Sequence, residues 1–243
     1  MIQFFAPDIL SDPRLPDQEA AHCVKVLRHV PGDEVTVVDG KGTRYRCRLT
    51  EATNKRAEVE ILDREEVPPY WEAGITIAVA PTKHLDRMEW LVEKLTEVGF
   101  DRFIPLLCRF SERKELKTER LEKIAVSAMK QSLKAAVPEI APMTPFKKFI
   151  ADTSGIPQRF IAHCDPDQPR RLLSREYDPS MEAVVLIGPE GDFSSEEIAM
   201  ALDAGFVPVS LGDARLRTET AALTACQTFH TVGELRDSLP APH

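Results

Sequence analysis

After Gly74 the sequence alternates between apolar runs of strand length and segments with helical spacing, and this order restricts the possible folds. Runs such as Ile75–Ala80 and Ala183–Ile187 contain almost no polar alternation. Strands of this kind, separated by helices, predict a parallel sheet with helices on both faces. Because α/β folds bind their ligands beyond the carboxyl ends of the strands, the loops after Ile187 and Leu211 are the first places to look for a site.

The same pattern predicts the other elements of this region. The remaining strands are Phe103–Leu107, Arg159–His163 and Val207–Leu211, and the helices are Asp86–Val98, Thr118–Lys134, Ser194–Ala204 and a last one from Thr218 to about Val232. Gly99 follows the first helix, where glycine commonly ends a helix. Ser194 and Glu197 have the spacing of a capping box, which predicts the start of the third helix.

Ahead of Gly74 the pattern is that of a small β domain. Polar and apolar residues alternate in three runs, Val35–Val38, Tyr45–Leu49 and Ala57–Leu62, separated by turn residues at 39–42 and at Asn54-Lys55. Such runs predict hairpins, and a short helix that ends near Pro31-Gly32 precedes them. The charged segment 63–74 contains two prolines, so we place the boundary there, between domains at 1–68 and 74–243.

The distribution of charge is more informative than the net charge of −8. From Arg14 to Arg56 there are nine Lys and Arg against six Asp and Glu, and from Arg102 to Lys134 nine against four. From Glu182 to Gly205 there are six acids and no Lys or Arg. The acidic total argues against indiscriminate nucleic-acid binding, whereas the two basic stretches would allow one face to bind a polyanion. Ordinary solvated surfaces are the alternative explanation.

The N-terminal residues and the cysteines argue against several classes of protein. The N-terminal residues have no basic segment followed by a long apolar stretch, so we expect a cytoplasmic protein without a membrane span. The five cysteines are scattered, without a Cys-x-x-Cys pair or zinc spacing. Reduced and mostly buried thiols are therefore expected, with no metal site and no disulfide framework.

The loop Gly188–Asp192 follows a buried strand and precedes the capping box. Its two glycines let the backbone approach a ligand closely. It lacks the Gly-Lys-Ser/Thr of a phosphate-binding loop and the glycine spacing of a dinucleotide site. Since Glu190 and Asp192 would repel a phosphate, a cationic ligand suits the loop better. A plain strand-to-helix connection is the alternative.

The second loop, "LGDARLRTETAAL" from Leu211 to Leu223, places Arg215, Arg217 and Glu219 at the start of a helix. Thr218 or Thr220 can cap that helix, and Glu219 in its first turn suits the helix dipole. The arginines add positive charge where the dipole is already positive. They either pair with nearby acids or face an anion.

Other polar groups are open to ordinary structural explanations. Arg109, Arg113 and Lys114 follow a strand, and Lys130 and Lys134 lie at a helix end, where phosphate contact and plain solvation are both plausible. An intrahelical salt-bridge pattern explains Glu93, Lys94 and Glu97. The sequence contains no combination of nucleophile, base and acid that is typical of a hydrolase. We interpret the isolated histidines as structural residues.

Five segments in order resemble one known family. They are "HCVKVLRHVPGD" (His22–Asp33), "EKLTEVGF" (Glu93–Phe100), "SERK" (Ser111–Lys114), "LIGPEGDFSSEEI" (Leu186–Ile198) and "SLGDARLRTETAALTA" (Ser210–Ala225). Together they closely resemble the ribosomal small-subunit RNA uridine-N3 methyltransferase family of the SPOUT class. The resemblance covers nearly the whole chain, and the pair "GPEG" and "LRTETA" is highly specific.

The resemblance implies an RNA-binding PUA-like β-barrel followed by an α/β methyltransferase domain with a deep C-terminal trefoil knot. It implies a homodimer formed through the knotted domains, S-adenosylmethionine as cofactor and small-subunit (16S) ribosomal RNA, in a nearly complete subunit, as substrate. By the same resemblance the cofactor-binding residues are Leu186, Ile187, Gly188, Pro189, Glu190, Gly191, Leu211, Gly212, Leu216, Arg217, Thr218 and Ala221.

The chain departs from the family pattern at two places. Many members have Glu-Gln-x-Gly-Arg where this chain has "KQSLK" (Lys130–Lys134), so a lysine replaces an arginine. Lysine keeps the charge but loses bidentate geometry, which weakens any assignment of one particular phosphate to Lys134. "GDFS" replaces the commoner Gly-Gly-Phe/Leu-Ser, and Asp192 adds an acid near the cofactor loop.

Methylation at uracil N3 sets two chemical requirements. The base must be unpaired or flipped, since N3 lies on its pairing edge. The N3 proton must leave, which requires a proton acceptor and a positive group for the uracil anion. We hypothesise that Arg217, supported by Arg215, stabilises the anion and that Glu219 orients or accepts the proton. The alternative is that Glu219 only interacts with the helix dipole and that a partner subunit supplies the base.

For the RNA backbone, the basic residues of both domains are the candidates. We expect phosphate contacts from Lys25, Arg28, Arg44, Arg46, Arg113, Lys114 and Lys134. Three other functions stay open: a non-catalytic RNA-binding or ribosome-assembly factor, an α/β enzyme for a small cationic or nucleotide substrate, and a methyltransferase of this class with another RNA target.

Overall fold

The computed structural model describes residues 2–53, 56–165 and 169–237, and the chain divides into two compact units. The first comprises Met1–Pro69 and also Ala125–Val137, and the second comprises Tyr70–Ile124 and Pro138–His243. The segment 125–137 belongs to the first unit through direct bonds: the Lys130 ammonium pairs with Glu19 at 2.5 Å, and the Gln3 amide donates to the Lys134 carbonyl oxygen at 2.6 Å.

The first unit is built on a four-stranded sheet. Its strands are β1 (Gln3–Phe5), β2 (Glu34–Val38), β3 (Thr43–Thr53) and β4 (Arg56–Glu66), and its N-terminal helix is α1 (Asp17–Ala21), continued by a π-helical turn at His22–Val26. The sheet order is β1-β2-β3-β4, with β1 and β2 parallel and the other pairs antiparallel. Alternate residues of the strands enter the core, including Val37, Tyr45, Cys47 and Leu49.

Hydrogen bonds explain the first hairpin turn. One carboxylate oxygen of Asp39 accepts from the backbone N–H of Lys41 at 2.7 Å and of Thr43 at 3.1 Å, and the other accepts from the buried Tyr45 hydroxyl at 3.2 Å. The hairpins predicted for this unit are confirmed, with longer strands than the sequence pattern indicates. The predicted turn at Asn54-Lys55 lies outside the described residues.

Two boundaries in the first unit differ from expectation. The predicted helix before the hairpins does not reach Pro31: helical structure ends at Val26, and Arg28 has a φ of 61°. The predicted boundary segment begins inside a strand, because β4 extends to Glu66 opposite Thr43. Both differences arise from tertiary pairing that a local pattern does not contain.

The second unit is an α/β unit. Its strands are β5 (Ile75–Val79), β6 (Arg102–Leu107), β7 (Glu139–Ile140), β8 (Thr144–Pro145), β9 (Gln158–Ala162), β10 (Arg171–Leu172), β11 (Ala183–Ile187) and β12 (Val207–Ser210). Its helices are α2 (Leu85–Val98), α3 (Glu119–Gln131, whose residues from Ala125 on belong to the first unit), α4 (Phe146–Asp152), α5 (Leu173–Glu176), α6 (Ser195–Asp203) and α7 (Thr218–Asp237).

The predicted parallel sheet is confirmed. Its order is β10-β12-β9-β11-β5-β6-β7, with β8 beside β6, and every pair is parallel. The centre of the sheet is buried and almost entirely apolar: all five residues of both β5 and β11 are buried, and Thr76 is the one polar residue among these ten. The core beneath one face includes Ile104, Phe149, Ile161, Leu186 and Phe206.

Several details of this unit were not predicted or were placed differently. The short elements β7, β8, β10, α4 and α5 are too brief to leave a periodic signal. Helix α3 ends at Gln131 rather than Lys134, because Leu133 takes a φ of 58°. The predicted ion pairs of Lys94 with Glu93 and Glu97 are present at 2.8 and 2.7 Å. No helix in the described part of the chain is long and apolar enough to cross a membrane.

Gly99 ends α2 in a place that only glycine fits. Its φ is 118°, and an added Cβ would lie 2.5 Å from Cζ3 of the Trp71 ring. Its carbonyl oxygen accepts hydrogen bonds from the buried Cys226 thiol at 3.3 Å and from His230 Nε2 at 2.7 Å. The Trp71 ring is itself held by a 2.8 Å bond from its Nε1 to Asp101.

We therefore expect Gly99→Ala to lower the free energy of unfolding by about 2–4 kcal/mol, through the unfavourable φ and the contact with Trp71. Urea denaturation followed by circular dichroism measures this change. Gly155→Ala is the matched control, because no atom lies within 4 Å of an added Cβ there. Equal stabilities of the two variants would contradict the assignment.

Candidate functional site

The site begins with the register of four neighbouring strands. Ile187 at the end of β11 lies opposite Ala162 of β9 and Val79 of β5, and Ala162 also lies opposite Val209 of β12. The backbone N–H of Ala80 donates to the Ile187 carbonyl at 3.0 Å and extends this alignment by one residue. The loops that follow β5, β9, β11 and β12 therefore leave the sheet at the same edge.

The loop after β11 is partly buried. Leu186, Ile187, Gly188 and Pro189 are buried, whereas Glu190 and Gly191 are exposed. Space around Gly188 is tight, since an added Cβ would lie 3.1 Å from two atoms of the Phe193 ring. The buried part of the loop thus packs against the protein, and the exposed part carries the charge of Glu190.

Asp192 ties this loop to a neighbour that sequence reasoning missed. One of its carboxylate oxygens accepts from the backbone N–H of Phe193 at 2.9 Å, and the other accepts from that of Cys164, after β9, at 2.7 Å. Asp192 has a φ of 67°, which this pair of bonds supports. The loop 163–165 thus belongs to the site, and a buried histidine directly after a strand was the signal that could have indicated it.

His163 in this loop has an unusual environment. The side chain is 3% exposed, its Nδ1 accepts from the backbone N–H of Asp165 at 3.2 Å, and its buried Nε2 has no hydrogen-bond partner among the described residues. Burial lowers the pKa of His163; Asp192 opposes and Arg170 reinforces this effect. A neutral imidazole with Nδ1 as acceptor carries its proton on Nε2, so this atom is a donor without an acceptor.

The loop after β12 contains the two unexplained arginines. Leu211 and Leu216 are half-buried, and Gly212, with a φ of 114°, is exposed. Arg215 and Arg217 are exposed, and neither forms an ion pair within the described part of the chain. Pairing with nearby acids therefore does not account for them.

Thr218 joins the two predicted cofactor loops. Its hydroxyl donates to the Gly188 carbonyl oxygen at 3.2 Å, and its side chain is buried. The expectation that Thr218 or Thr220 caps α7 is wrong, because both residues lie within the helix and the Thr218 hydroxyl is used in this bond between loops. Ala221, one turn later, is half-buried and donates its N–H to the Arg217 carbonyl at 2.8 Å.

Glu219 is buried against α2. Its Oε1 lies 3.5 Å from Nη1 of Arg87, and its buried Oε2 has no hydrogen-bond partner among the described residues. Arg87 was not among the predicted site residues, since nothing in its local pattern distinguishes it from a solvated helix position. Within the described residues the pair therefore satisfies only one of the two carboxylate oxygens.

The predicted capping box is present and also holds the loop after β6. The Glu197 N–H donates to the Ser194 hydroxyl at 3.2 Å, and Glu197 Oε2 accepts from the Ser194 N–H at 2.9 Å. Glu197 Oε1 accepts from the Arg109 N–H at 2.8 Å. Arg113 from the same loop donates to the carbonyl oxygens of Thr82 at 3.4 Å and Lys83 at 2.8 Å, after β5. Lys114 is exposed.

The predicted RNA-contacting residues of the first unit differ in their exposure and in the protein groups that already bind them. Lys25 and Arg28 are exposed, and Arg46 is exposed in an ion pair with Glu34 at 3.3 Å. Arg44 is held by Glu65 at 2.8 Å and by the Leu133 carbonyl at 2.9 Å, which gives it a structural role. Lys134 is half-buried.

The cysteines match the expectation of free and mostly buried thiols. Four are buried and Cys164 is exposed, and all five are free. Burial raises the pKa of Cys23 and of Cys47 to about 11. These two thiols are therefore protonated and unreactive near neutral pH.

Comparison with known proteins adds independent information. Residues 69–230 match the family model of the RNA methyltransferase domain, and residues 15–62 match that of the RNA methyltransferase PUA domain. The ribosomal RNA small subunit methyltransferase E of a Synechocystis species is 30% identical over 217 residues, which cover 86% of this chain and 70% of that protein.

Solved structures show the same similarity. A probable rRNA-methyltransferase from Porphyromonas gingivalis is 46% identical, with a TM-score of 0.94 over 97% of this chain and 100% of that chain. The ribosomal RNA small subunit methyltransferase E of Neisseria gonorrhoeae, whose structure contains S-adenosyl methionine, is 30% identical with a TM-score of 0.80 over 96% of this chain and 98% of that chain.

The lowered pKa of His163 predicts a pH dependence of stability. Below its ordinary pKa of 6.5, His163 binds a proton in the unfolded chain but stays neutral when folded. The free energy of unfolding should therefore fall as the pH drops below that value, until the folded pKa is reached. Urea denaturation at about pH 7.5 and about pH 5.5 should show a smaller difference for His163→Gln than for the unmodified protein. His84→Gln, at an exposed position, controls for loss of a histidine; identical pH dependence in all three proteins would contradict the assignment.

Proposed function

Because the chain belongs to the RNA methyltransferase family, with a PUA domain ahead of the methyltransferase domain, we propose that it methylates ring nitrogen 3 of a uridine in small-subunit (16S) ribosomal RNA, with S-adenosylmethionine as the methyl donor. The relatives named ribosomal RNA small subunit methyltransferase E support the RNA, and the neighbour that holds S-adenosyl methionine supports the donor.

One observation supports this proposal most strongly. The 3.2 Å bond from Thr218 to the Gly188 carbonyl joins the loops beyond the carboxyl ends of β11 and β12, the two strands on either side of β9, and the exposed Arg217 lies next to that bond. A cationic group beside a ligand-binding wall suits a reaction in which the acceptor base becomes an anion.

The residues present fit S-adenosylmethionine. Glu190 places negative charge at the loop mouth, which suits a sulfonium cation. Two buried polar atoms on the participating elements, His163 Nε2 and Glu219 Oε2, lack partners among the described residues and offer one donor and one acceptor. The proposed wall consists of Leu186, Ile187, Gly188, Pro189, Glu190, Gly191, Leu211, Gly212, Leu216, Arg217, Thr218 and Ala221. When bound, the cofactor supplies an electrophilic methyl group.

The protein's own residues then prepare the base. Arg217, with Arg215 in support, holds the uracil oxygens and stabilises the anion that forms when the N3 proton leaves. Glu219 accepts a hydrogen bond or the proton through Oε2, while Arg87 neutralises its other oxygen. The loops align the base nitrogen with the methyl group, and this orientation by itself lowers the activation free energy of methyl transfer.

Binding of the RNA backbone is assigned to exposed basic residues. In the first unit these are Lys25, Arg28 and Arg46, and in the second Lys114. We also propose phosphate contacts from Arg44, Arg113 and Lys134, although Arg44 and Arg113 already donate hydrogen bonds to protein carbonyl oxygens. Such contacts position the RNA and leave the choice of nucleotide to the site itself.

Family membership also supports finer features of the fold. We infer a PUA-like barrel within 1–68 and a deep trefoil knot within 74–243, formed where the chain passes from β9 through β11 to β12. A homodimer through the second unit is proposed as well. An open groove of about 830 Å³ along α7, lined by Leu223, Val232 and Leu235 among others, offers it an apolar surface.

Arg217→Ala should reduce methyl transfer by about 10²-fold or more, because it removes charge stabilisation of the uracil anion. The dissociation constant for S-adenosylmethionine, measured by calorimetric titration, should change by less than about threefold, since the effect lies on the transition state. Lys83→Ala is a control for loss of an exposed cation near the site. Unchanged turnover would remove Arg217 from the mechanism, and a loss of cofactor affinity as large as the loss of turnover would limit Arg217 to its place in the cofactor wall.

The combined change Arg28→Glu and Arg46→Glu should weaken binding to small ribosomal subunits and reduce the slope of log affinity against log salt by about one per lost phosphate contact. Filter binding over a salt series measures both quantities. Arg14→Glu is the control for reversing the charge of an exposed arginine in this unit, because Arg14 is not among the residues proposed to contact the RNA and is held by Asp12 at 2.5 and 2.6 Å. A salt slope equal to that of the unmodified protein would show that the RNA lies elsewhere.

A further inference from the structure

A cleft in the second unit lies outside the proposed cofactor wall. It has a volume of about 700 Å³ and opens between the loop after β6, the start of α4 and the start of α6. Its lining includes Arg109, Phe110, Lys114, Lys147, Glu196 and Glu197. We call it the Phe110 cleft.

Phe110 is exposed although it is large and apolar. Its side chain is 51% exposed, and its Cβ lies 3.6 Å from the position of an added Cβ at Gly191. The residue therefore sits between the Phe110 cleft and the exposed end of the predicted cofactor loop. An exposed aromatic ring next to a nucleic-acid site is a surface on which an unpaired base can stack.

The cations of the cleft are available. Lys114 and Lys147 are exposed, and neither ammonium group makes a hydrogen bond or an ion pair within the described residues. Arg109 is exposed, and its backbone is fixed by Glu197. Two free ammonium groups beside an aromatic ring match the phosphates on either side of a stacked base.

The two acids of the cleft differ in role. Both oxygens of Glu197 are already used by the backbone of Arg109 and Ser194, so it is unavailable to a ligand. Glu196 is exposed, and hydrogen bonds from its own N–H and from the Ser194 side chain, with help from Arg109, lower its pKa. It is therefore an ionised acceptor, which suits the amino group of adenine, cytosine or guanine and finds no such group on uracil.

We propose that the Phe110 cleft binds an unpaired nucleotide that neighbours the target uridine, with its base stacked on Phe110, its phosphates on Lys114 and Lys147, and an amino group of the base on Glu196. This inference rests on the proposed function for the identity of the RNA. It adds a second nucleotide-binding position and a preference for bases that carry an amino group.

The first experiment measures binding of unmodified small ribosomal subunits, independently of methyl transfer. Phe110→Ala should weaken binding about tenfold, and Phe110→Trp should keep it within about threefold, because tryptophan also stacks. Lys147→Glu should weaken binding and lower the salt slope by about one. Lys148→Glu is the matched control, since Lys148 is paired with Asp152 at 2.5 Å and does not line the cleft.

A second experiment tests the base preference with short oligo(A) and oligo(U) RNAs. The unmodified protein should bind oligo(A) more tightly, and Glu196→Ala should remove the difference.

The inference is overturned if Phe110→Ala and Lys147→Glu bind like Lys148→Glu, or if Phe110→Trp is as weak as Phe110→Ala. Phe110, Lys147 and Lys148 are all exposed, so we expect their substitution to leave the fold intact. An unchanged dissociation constant for S-adenosylmethionine checks that each variant is folded. If the unmodified protein binds subunits through the cleft but transfers no methyl group, the proposed function fails while the cleft assignment stands.

Discussion

Neighbouring parallel strands that end at the same level of the sheet are the constraint on which the site depends. Ile187, Ala162 and Val209 lie in register, so the loops after β9, β11 and β12 have to leave the sheet together. The bonds from Thr218 to Gly188 and from Cys164 to Asp192 then fix the loops against one another. A shift of one strand by one residue would turn its buried side chains toward the other face and separate these partners.

Much of this arrangement follows from local features of the sequence. The almost entirely apolar runs of β5 and β11 predict buried parallel strands, and Ser194 with Glu197 predicts the start of α6. Parallel strands in turn direct attention to the loops after Ile187 and Leu211. The spacing of residues alone does not decide whether the loop after Ile187 binds a cationic ligand or only connects a strand to a helix. The resemblance of "GPEG" and "LRTETA" to known methyltransferases supplies the chemistry.

What the sequence pattern does not contain is long-range pairing. Thr218 has the local properties of a helix cap, yet its hydroxyl bonds to a carbonyl thirty positions away in the chain. Arg87, His163 and Phe110 belong to ordinary helical, strand-end and loop patterns, and only the fold places them near the candidate site. Residues 125–137 join the first unit because Lys130 meets Glu19, a contact between distant segments that composition does not reveal.

The central claim is transfer of a methyl group to N3 of a uridine in small-subunit ribosomal RNA. Its most direct test is incubation of the protein with isotopically labelled S-adenosylmethionine and unmodified small subunits, followed by nuclease digestion and mass spectrometry of the nucleosides. The account predicts label in 3-methyluridine at a single position of the RNA. Absence of label, or label on another base or another atom of uridine, would contradict it.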